Sequence, residues 1–514
     1  MEVSLWFKLA VLVVVLLFVL VPKLTFFHKL DRSPKNLPPS PPARPIVGHL
    51  HLLKQPVHRT LHELSSKYGD ILLLRYGTRK VLVISSPSAI EECFTRNDVI
   101  FANRPQSLAG KHLNYNSTTM GFSSYGDHWR NLRRLTTVEL FSTAHTAMFS
   151  GIRAEEVRLL LKQLFQDSRG ESAKVALTSK FLDLTFNNMM RIIAGKRYYG
   201  KDVVDQEGEL LQDIIKEMEA LRGSANLNDY FPVLQWVDYQ GVEQRMLRLA
   251  KKMDVFLQDL IEEHRTNSSA SVNLSGASNQ KRNLTLIDVM LSFRENLEFY
   301  SDQTIKGVIL TTLTAGSQTS AATLDWAISL LLNHPKVLQK AFTEIETVVG
   351  LDHLLDEADI PKLNYLQNII NETFRLFPPA PLLLPHESSA DCTVCGYYVP
   401  QGTMLLVNTW SMNRNPKLWE DPEKFMPERF EGQEGAGNTL LPFGAGRRAC
   451  PGAGLAKRVI SLTLGSLIQC FEWERIDEEE INMTEGAGLT MPKAIPLEAL
   501  CRPREAMINL LSTL

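Results

Sequence analysis

Cysteine is scarce in this chain, six in 514 residues, and no spacing among them suggests a disulfide framework. Cys392-Thr-Val-Cys395 has the outline of a redox or zinc pair. No second pair and no histidine cluster accompany it, so it reads as two ordinary thiols. Net charge is nearly absent as well: 55 basic residues stand against 57 acidic ones, giving −2. That balance removes any reason to expect nucleic acid as a partner. Low-complexity interior linkers are lacking, so one large domain fits better than the about three that length alone would allow.

Long apolar runs are missing everywhere but at the start. Val3 to Val21 is apolar except for Ser4 and Lys8. As a helix it would span roughly 28 Å, close to a bilayer's hydrocarbon thickness. Lys23, Lys29, Arg32 and Lys35 follow the run, so the positive-inside rule leaves the bulk of the chain cytoplasmic. A cleaved signal peptide is the rival reading, but Val21-Pro22-Lys23-Leu24 lacks a small-residue cleavage site. The expected organisation is a membrane anchor with its basic flank over 1–32, a proline-rich hinge over 33–48 and a single domain over 49–514. The hinge, with seven residues of Leu37 to Gly48 other than proline and five prolines, is too stiff for helix or central strand.

Beyond the hinge, strands are expected at Ile71–Arg75 and Lys80–Ser85, followed by long amphipathic helical stretches. The whole is mainly α with a minor β-sheet part. Thr266 to Asn283 is Ser/Asn-rich and reads as a polar surface loop. A long helix should start at Ser301, with Asp302 in its first turn, and run to Asn333 before His334-Pro335. It would reach roughly 48 Å, enough to cross the domain. Mid-helix, Thr314 to Ser320 is a small polar cluster where better helix formers would be expected. A local cost without local benefit points to a site.

The most informative stretch is 442–452, Pro-Phe-Gly-Ala-Gly-Arg-Arg-Ala-Cys-Pro-Gly, just ahead of a helix-like run from Gly454 to Gln469. Its glycines allow backbone to pack against something flat. A helix N-terminus and neighbouring arginines should lower the pKa of Cys450, leaving a thiolate able to ligate a metal. Arg448 is placed to meet a carboxylate of whatever carries that metal. Thiolate, flat partner and anionic group together suggest haem.

The segment resembles the haem-ligand loop of cytochrome P450 monooxygenases at Phe443, Gly446, Arg448, Cys450 and Gly452. Four further segments resemble that family in its order: Trp129 with Arg133, Ala315 to Ser320, Glu372 with Arg375, and Pro427-Glu428-Arg429-Phe430. Gly488 to Ala494 is similar to the plant group containing isoflavone 2′-hydroxylases and lignan methylenedioxy-bridge-forming enzymes. The resemblance implies the cytochrome P450 fold, haem b (heme, iron protoporphyrin IX) ligated by Cys450, and O₂ as co-substrate. It also implies electrons from NADPH through NADPH-cytochrome P450 reductase, a small hydrophobic substrate, and a single-pass anchor in endoplasmic reticulum membrane lipid.

Further roles follow from the same resemblance. Trp129, Arg133, His386 and Arg448 would meet the haem propionates. His386 stands where relatives often carry arginine, so its charge would depend on pH. Thr319 would supply the hydroxyl for proton delivery, with Ser320 and water behind it, and Gly316 would leave room for oxygen or substrate. Gln318 departs from the family, which has an acid there; an amide orients water but cannot release and regain a proton near neutral pH. Glu372, Arg375 and Arg429 would form a buried bracing triad. Arg130, Arg134, Arg447, Lys457 and Arg458 could form a basic face for an acidic reductase. Substrate contacts are expected from Gln106–Ser124, Ala225–Val233, Val308–Ala315, Ala380–Leu384 and Leu489–Met491. The implied reaction is hydroxylation or oxidative ring closure of a plant phenolic such as an isoflavonoid, lignan or xanthone. The rivals are the same chemistry on a terpenoid, a reductase-independent haem-thiolate isomerase or dehydratase, and a membrane haem-binding scaffold.

Overall fold

The computed structural model describes residues 36–514 apart from 169–170, 201–205, 224–225, 274–283, 294–299 and 433–438. The expected anchor over 1–32 lies outside the described residues. Among those described, no helix is long and apolar enough to cross a membrane.

Helices dominate, as expected, with nine short strands beside them among the described residues. Strands β1 (Ile71–Tyr76) and β2 (Arg79–Ile84) form a hairpin, and the later strands are β3 (Ala173–Ala176), β4 (His386–Glu387), β5 (Cys392–Val394), β6 (Tyr397–Val399), β7 (Met404–Val407), β8 (Phe471–Glu474) and β9 (Glu498–Pro503). The main sheet has the order β1-β2-β7-β4, with β2 and β7 parallel and the other pairs antiparallel. Its parallel pair is the apolar centre: Val81 to Ile84 and Met404 to Val407 are all buried. That is why both strands read as continuous apolar runs rather than alternating ones. The other sheets are β3-β9-β8 and the hairpin β5-β6. The proline-rich segment is no free linker at its far end, because Pro39 accepts a hydrogen bond from the Leu73 N–H and Gly48 bridges to Tyr76.

The long helix spans Asp302–Asn333, with the Ser301 side chain accepting from the Thr304 N–H as its cap. Most hydroxyls of its polar middle are satisfied within the helix: Thr311, Thr314, Ser317, Thr319 and Thr323 all donate to the carbonyl four residues earlier. The helix packs on Leu177–Ala194, Asn364–Leu376 and Ala453–Cys470. The last of these is buried continuously from Val459 to Cys470, a helix enclosed by protein on all sides.

One expectation is corrected. Thr266–Asn273 is not loop but the end of a helix, Val242–Asn273. Its preceding turn is pinned by Arg265, which bonds Asp302 and Glu262, and Thr266 itself donates to the Glu262 carbonyl. Those contacts outweigh the weak helix preference of Ser and Asn.

Candidate active site

Cys450 lies between the 3-10 turn Gly446–Arg448 and the start of the helix Ala453–Cys470. Its N–H donates to the Phe443 carbonyl at 2.8 Å, closing the loop on itself. Gly446 has φ +65°, and a Cβ there would collide with Asp98 and approach the Phe94 carbonyl to 3.0 Å. Asp98 in turn accepts from the Arg447 N–H at 3.0 Å and its Nε at 2.9 Å. The loop therefore has no slack. It forms one wall of a cavity of about 330 Å³ shared with Phe443, Gly316, Thr319, Leu383 and Leu489.

The thiol faces that cavity and is exposed to it, while protein packs around its remaining sides. Burial on those sides pushes its pKa up; the Gly452 N–H and the Arg133 charge pull it back only in part. The lowering expected from arginines and helix N-terminus is thus present but outweighed. In this protein a thiolate at 450 needs the charge of a metal cation, which deprotonates a coordinating thiol outright.

Three arginines line the same cavity, Arg104 buried and Arg133 and Arg448 half-buried. Arg448 donates to the carbonyls of Ala102, Met120 and Ser123 and lies 4.3 Å from the Trp129 ring centroid. Arg133 donates to the Ala449 carbonyl at 2.7 Å, and Trp129 Nε1 to Met120. Arg104, which sequence reasoning missed, donates to Gly121, Leu384 and Pro385. Burial holds the pKa of Arg104 at about 9 and that of Arg448 at about 10, each lowered further by a neighbouring guanidinium, and it lowers Arg133 as well. None of the three has a carboxylate within ion-pair distance among the described residues. Cations wholly or half withdrawn from water and left without counter-charge beside a large cavity call for an anionic ligand. Together with one thiol they fit a flat metal complex bearing two carboxylates, which is haem.

His386 Nδ1 donates to the Phe101 carbonyl, 2.7 Å away, and the ring packs edge-on to Phe94. Burial, then the Arg104 charge, drives its pKa well below the ordinary value. Burial thus favours the neutral form of His386, and Arg104 is the cation beside it. No local pattern in the sequence marks Arg104, because what sets it apart is the carboxylate it lacks in space.

On the opposite wall the long helix brings Gly316, Thr319 and Ser320 to the cavity; Gln318 is not among the lining residues. Thr319 Oγ1 donates to Ala315 at 2.7 Å. The bare Cα of Gly316 is used by a neighbouring helix, since a Cβ there would meet Met189 Sδ at 2.8 Å. Farther from the cysteine, Glu219 and Arg222 line the cavity from the helix Gln206–Gly223. As an i,i+3 pair they look in sequence like any solvated surface bridge, so they were missed.

Of the expected substrate segments, Asn114, Met120, Gly121, Phe122, Thr311 to Ala315 less Leu313, Ala380, Leu383, Leu384, Leu489 and Thr490 reach the main cavity. Ala225–Val233 contributes only to an adjoining pocket of about 160 Å³, through Asn226, Asp229 and Tyr230. Leu489 and Thr490 arrive on a hairpin closed by a bridge between Glu485 and Lys493. Both ends are held in protein. Glu485 accepts from His58, Arg59 and Trp410, and Met491 accepts from Trp326, whose ring stacks on Phe377 at 4.0 Å.

Behind the cysteine loop, Glu372 and Arg375 are fully buried on the helix Asn364–Leu376. Arg375 binds both Glu372 oxygens, at 2.7 and 2.8 Å, and Arg429 Nε reaches Glu372 at 3.0 Å.

The fold and this cysteine-walled cavity define a haem-thiolate enzyme. The cytochrome P450 profile matches residues 38–498, and the chain belongs to the cytochrome P450 family. It is 53% identical to cytochrome P450 81Q32 of Catharanthus roseus over 94% of each chain. It is 48% identical to isoflavone 2′-hydroxylase of Glycyrrhiza echinata, over 92% of this chain and 93% of that one. It is also 48% identical to a (+)-piperitol/(+)-sesamin synthase of Sesamum radiatum, over 93% of this chain and 92% of that one. It is accordingly a cytochrome P450 monooxygenase that uses haem b.

Proposed function

We propose that this monooxygenase hydroxylates, or oxidatively closes a ring in, a flat phenolic plant metabolite of the isoflavonoid or lignan type. The observation that carries the reading is the cavity itself. Cys450 lines it together with Arg104, Arg133 and Arg448, which have no ion-pair partner among the described residues, and mostly apolar side chains with a few polar groups form the rest. The names of the relatives, an isoflavone hydroxylase and a piperitol/sesamin synthase, support the same substrate class.

Haem held by Cys450 supplies one-electron chemistry and dioxygen activation. The chain's own residues do the remaining work. Arg104, Arg133 and Arg448 hold the two carboxylates, and Trp129 keeps Arg448 in place. The Thr319 hydroxyl, parked on Ala315, turns to donate a proton into the cavity, and Ser320 beside it replenishes that proton through water. Gln318 takes no part in that relay, which rests on its position outside the cavity lining. Apolar side chains exclude bulk water, and Leu383, Leu489 and Thr490 orient the substrate. Glu372, Arg375 and Arg429 brace the loop. Residues 1–32 anchor the 49–514 catalytic domain in the endoplasmic reticulum membrane through the 33–48 hinge. An acidic reductase docks at the basic face, where Arg130, Arg447 and Arg458 already pair with Asp127, Asp98 and Glu357. Arg134 and Lys457 are therefore the cations to neutralise first.

The test is incubation of the full chain in microsomes with reductase, NADPH and a panel of isoflavonoids, lignans, xanthones and terpenoids. Product mass shows gain of one oxygen or loss of two hydrogens on a phenolic. Turnover of terpenoids alone would overturn the substrate class. Undiminished oxygenation by Cys450→Ser would overturn the chemistry.

A further inference from the structure

We infer that Arg222, with Glu219 and Asn188, forms a polar roof that binds an uncharged carbonyl oxygen of the substrate, an aromatic ketone or lactone that also carries a hydroxyl. The inference deepens the phenolic reading above and rests on it.

Arg222 is deep inside the protein, its side chain 7% exposed, yet it lines both the main cavity and the adjoining pocket. Its bonds are few for such burial. Nη2 donates to Asn114 Oδ1 at 3.1 Å, and Nη1 reaches Glu219 only at 3.4 Å. Nε is enclosed and has no acceptor among the described residues. Nη1 and Nη2 each make one bond there and keep a further N–H, so a ligand oxygen in the cavity can take a donor that the protein leaves over. Asn188, on the helix Leu177–Ala194, lines the same cavity, and its enclosed Oδ1 has no partner among the described residues. A guanidinium with donors to spare beside an amide suits a ligand that carries both an acceptor and an O–H.

Charge decides between a neutral and an anionic acceptor. Arg104, Arg133 and Arg448 have no carboxylate and suit an anion. Arg222 has Glu219 at ion-pair distance, so the roof is neutral overall. Burial raises the Glu219 pKa and lowers that of Arg222, with each partner offsetting the other's shift only in part. A carboxylate arriving here would meet Glu219 as well as Arg222 and would be repelled. A ketone or lactone oxygen accepts from a spare N–H of the guanidinium without adding charge.

The test is a spectral titration of the full-length haem-loaded protein with two ligands of matched shape, a hydroxylated isoflavone and the corresponding isoflavan, which lacks the carbonyl. Arg222→Gln should weaken the isoflavone about tenfold, roughly 1.4 kcal/mol, and leave the isoflavan unchanged. Equal losses for both ligands would mean that Arg222 only shapes the fold, and no loss for either would mean that it does not touch substrate; either result overturns the inference while the phenolic reading stands. Glu219→Gln provides an independent check, because it leaves the Arg222 cation without its counter-charge. A carboxylated isoflavone should then gain at least tenfold relative to the parent, and no gain overturns the inference. If the wild-type protein binds neither ligand, the inference is overturned, while the phenolic reading is decided by the turnover panel.

Discussion

Arg375 and Arg222 are both buried arginines that pair with a glutamate three residues away on the same helix, and they could hardly be used more differently. Arg375 spends every donor. Besides the two Glu372 oxygens it reaches the carbonyls of Asn413, Pro422 and Lys424, at 2.7, 2.6 and 3.1 Å. Arg222 makes one long ion pair and one amide contact and keeps Nε unmatched. The first is a fastener, complete in the protein alone. The second is incomplete until something enters the cavity. Satisfaction of donors, rather than burial or partner identity, separates a residue that holds the fold from one that waits for a ligand.

That contrast can be broken or sharpened by substitution. Arg375→Ala strands the Glu372 carboxylate and three carbonyls, so it should cost about 3–5 kcal/mol. Haem content after purification and thermal unfolding read the loss, and normal haem content would remove the fastening role. Glu485 comes next. Burial pushes its carboxyl up, but hydrogen bonds from His58 and Arg59 and their charges outweigh it and hold the pKa at about 2. A depressed carboxyl stabilises the fold above its unfolded pKa, and the contribution is lost as pH falls from about 4.5 toward 2. Glu485→Gln should cost on the order of 2–3 kcal/mol at pH 7 and flatten the acid limb of stability against pH. An unchanged acid limb would show that the cluster carries no such weight.

Arg104→Gln should act on haem rather than on the fold, weakening haem retention by about 1–3 kcal/mol. Haem transfer to a scavenger protein measures it, and retention equal to wild type would return the propionate role to His386. The smallest effect belongs to Asp325. Its carboxyl is raised to about 6 by burial, against hydrogen bonding from Thr178 and the Lys493 charge. A raised carboxyl costs stability when it ionises, so stability falls as pH rises from about 4 to 6. Asp325→Asn should remove that fall and gain on the order of 1 kcal/mol at pH 7. Chemical denaturation at pH 4 and pH 7 tests the sign.

What could be read in the sequence follows the same division. The long helix was legible to the residue, because Ser301 is a cap and His334-Pro335 a stop, both local signals. Cys450 and its loop were legible because a bare, positively twisted backbone at Gly446 admits no substitute. Glu372 and Arg375 were legible only through family likeness, since their spacing alone describes a surface pair. Arg104 and Arg222 were not legible, because what marks each is an absence: no carboxylate for one, no acceptor for the other. Absences of that kind exist only in three dimensions. The helical continuation through Asn273 was hidden similarly, as Arg265 finds Asp302 across 37 residues of chain.

The hairpin from Glu485 to Lys493 is fixed at its base by contacts that never enter the cavity, while only Leu489 and Thr490 project to the reaction chamber. Attachment and selectivity are thus separate properties of one short segment. A mutation at either tip position can retune which molecules are accepted while the mounting remains untouched, so relatives of one architecture can diverge in chemistry by exchanging two side chains.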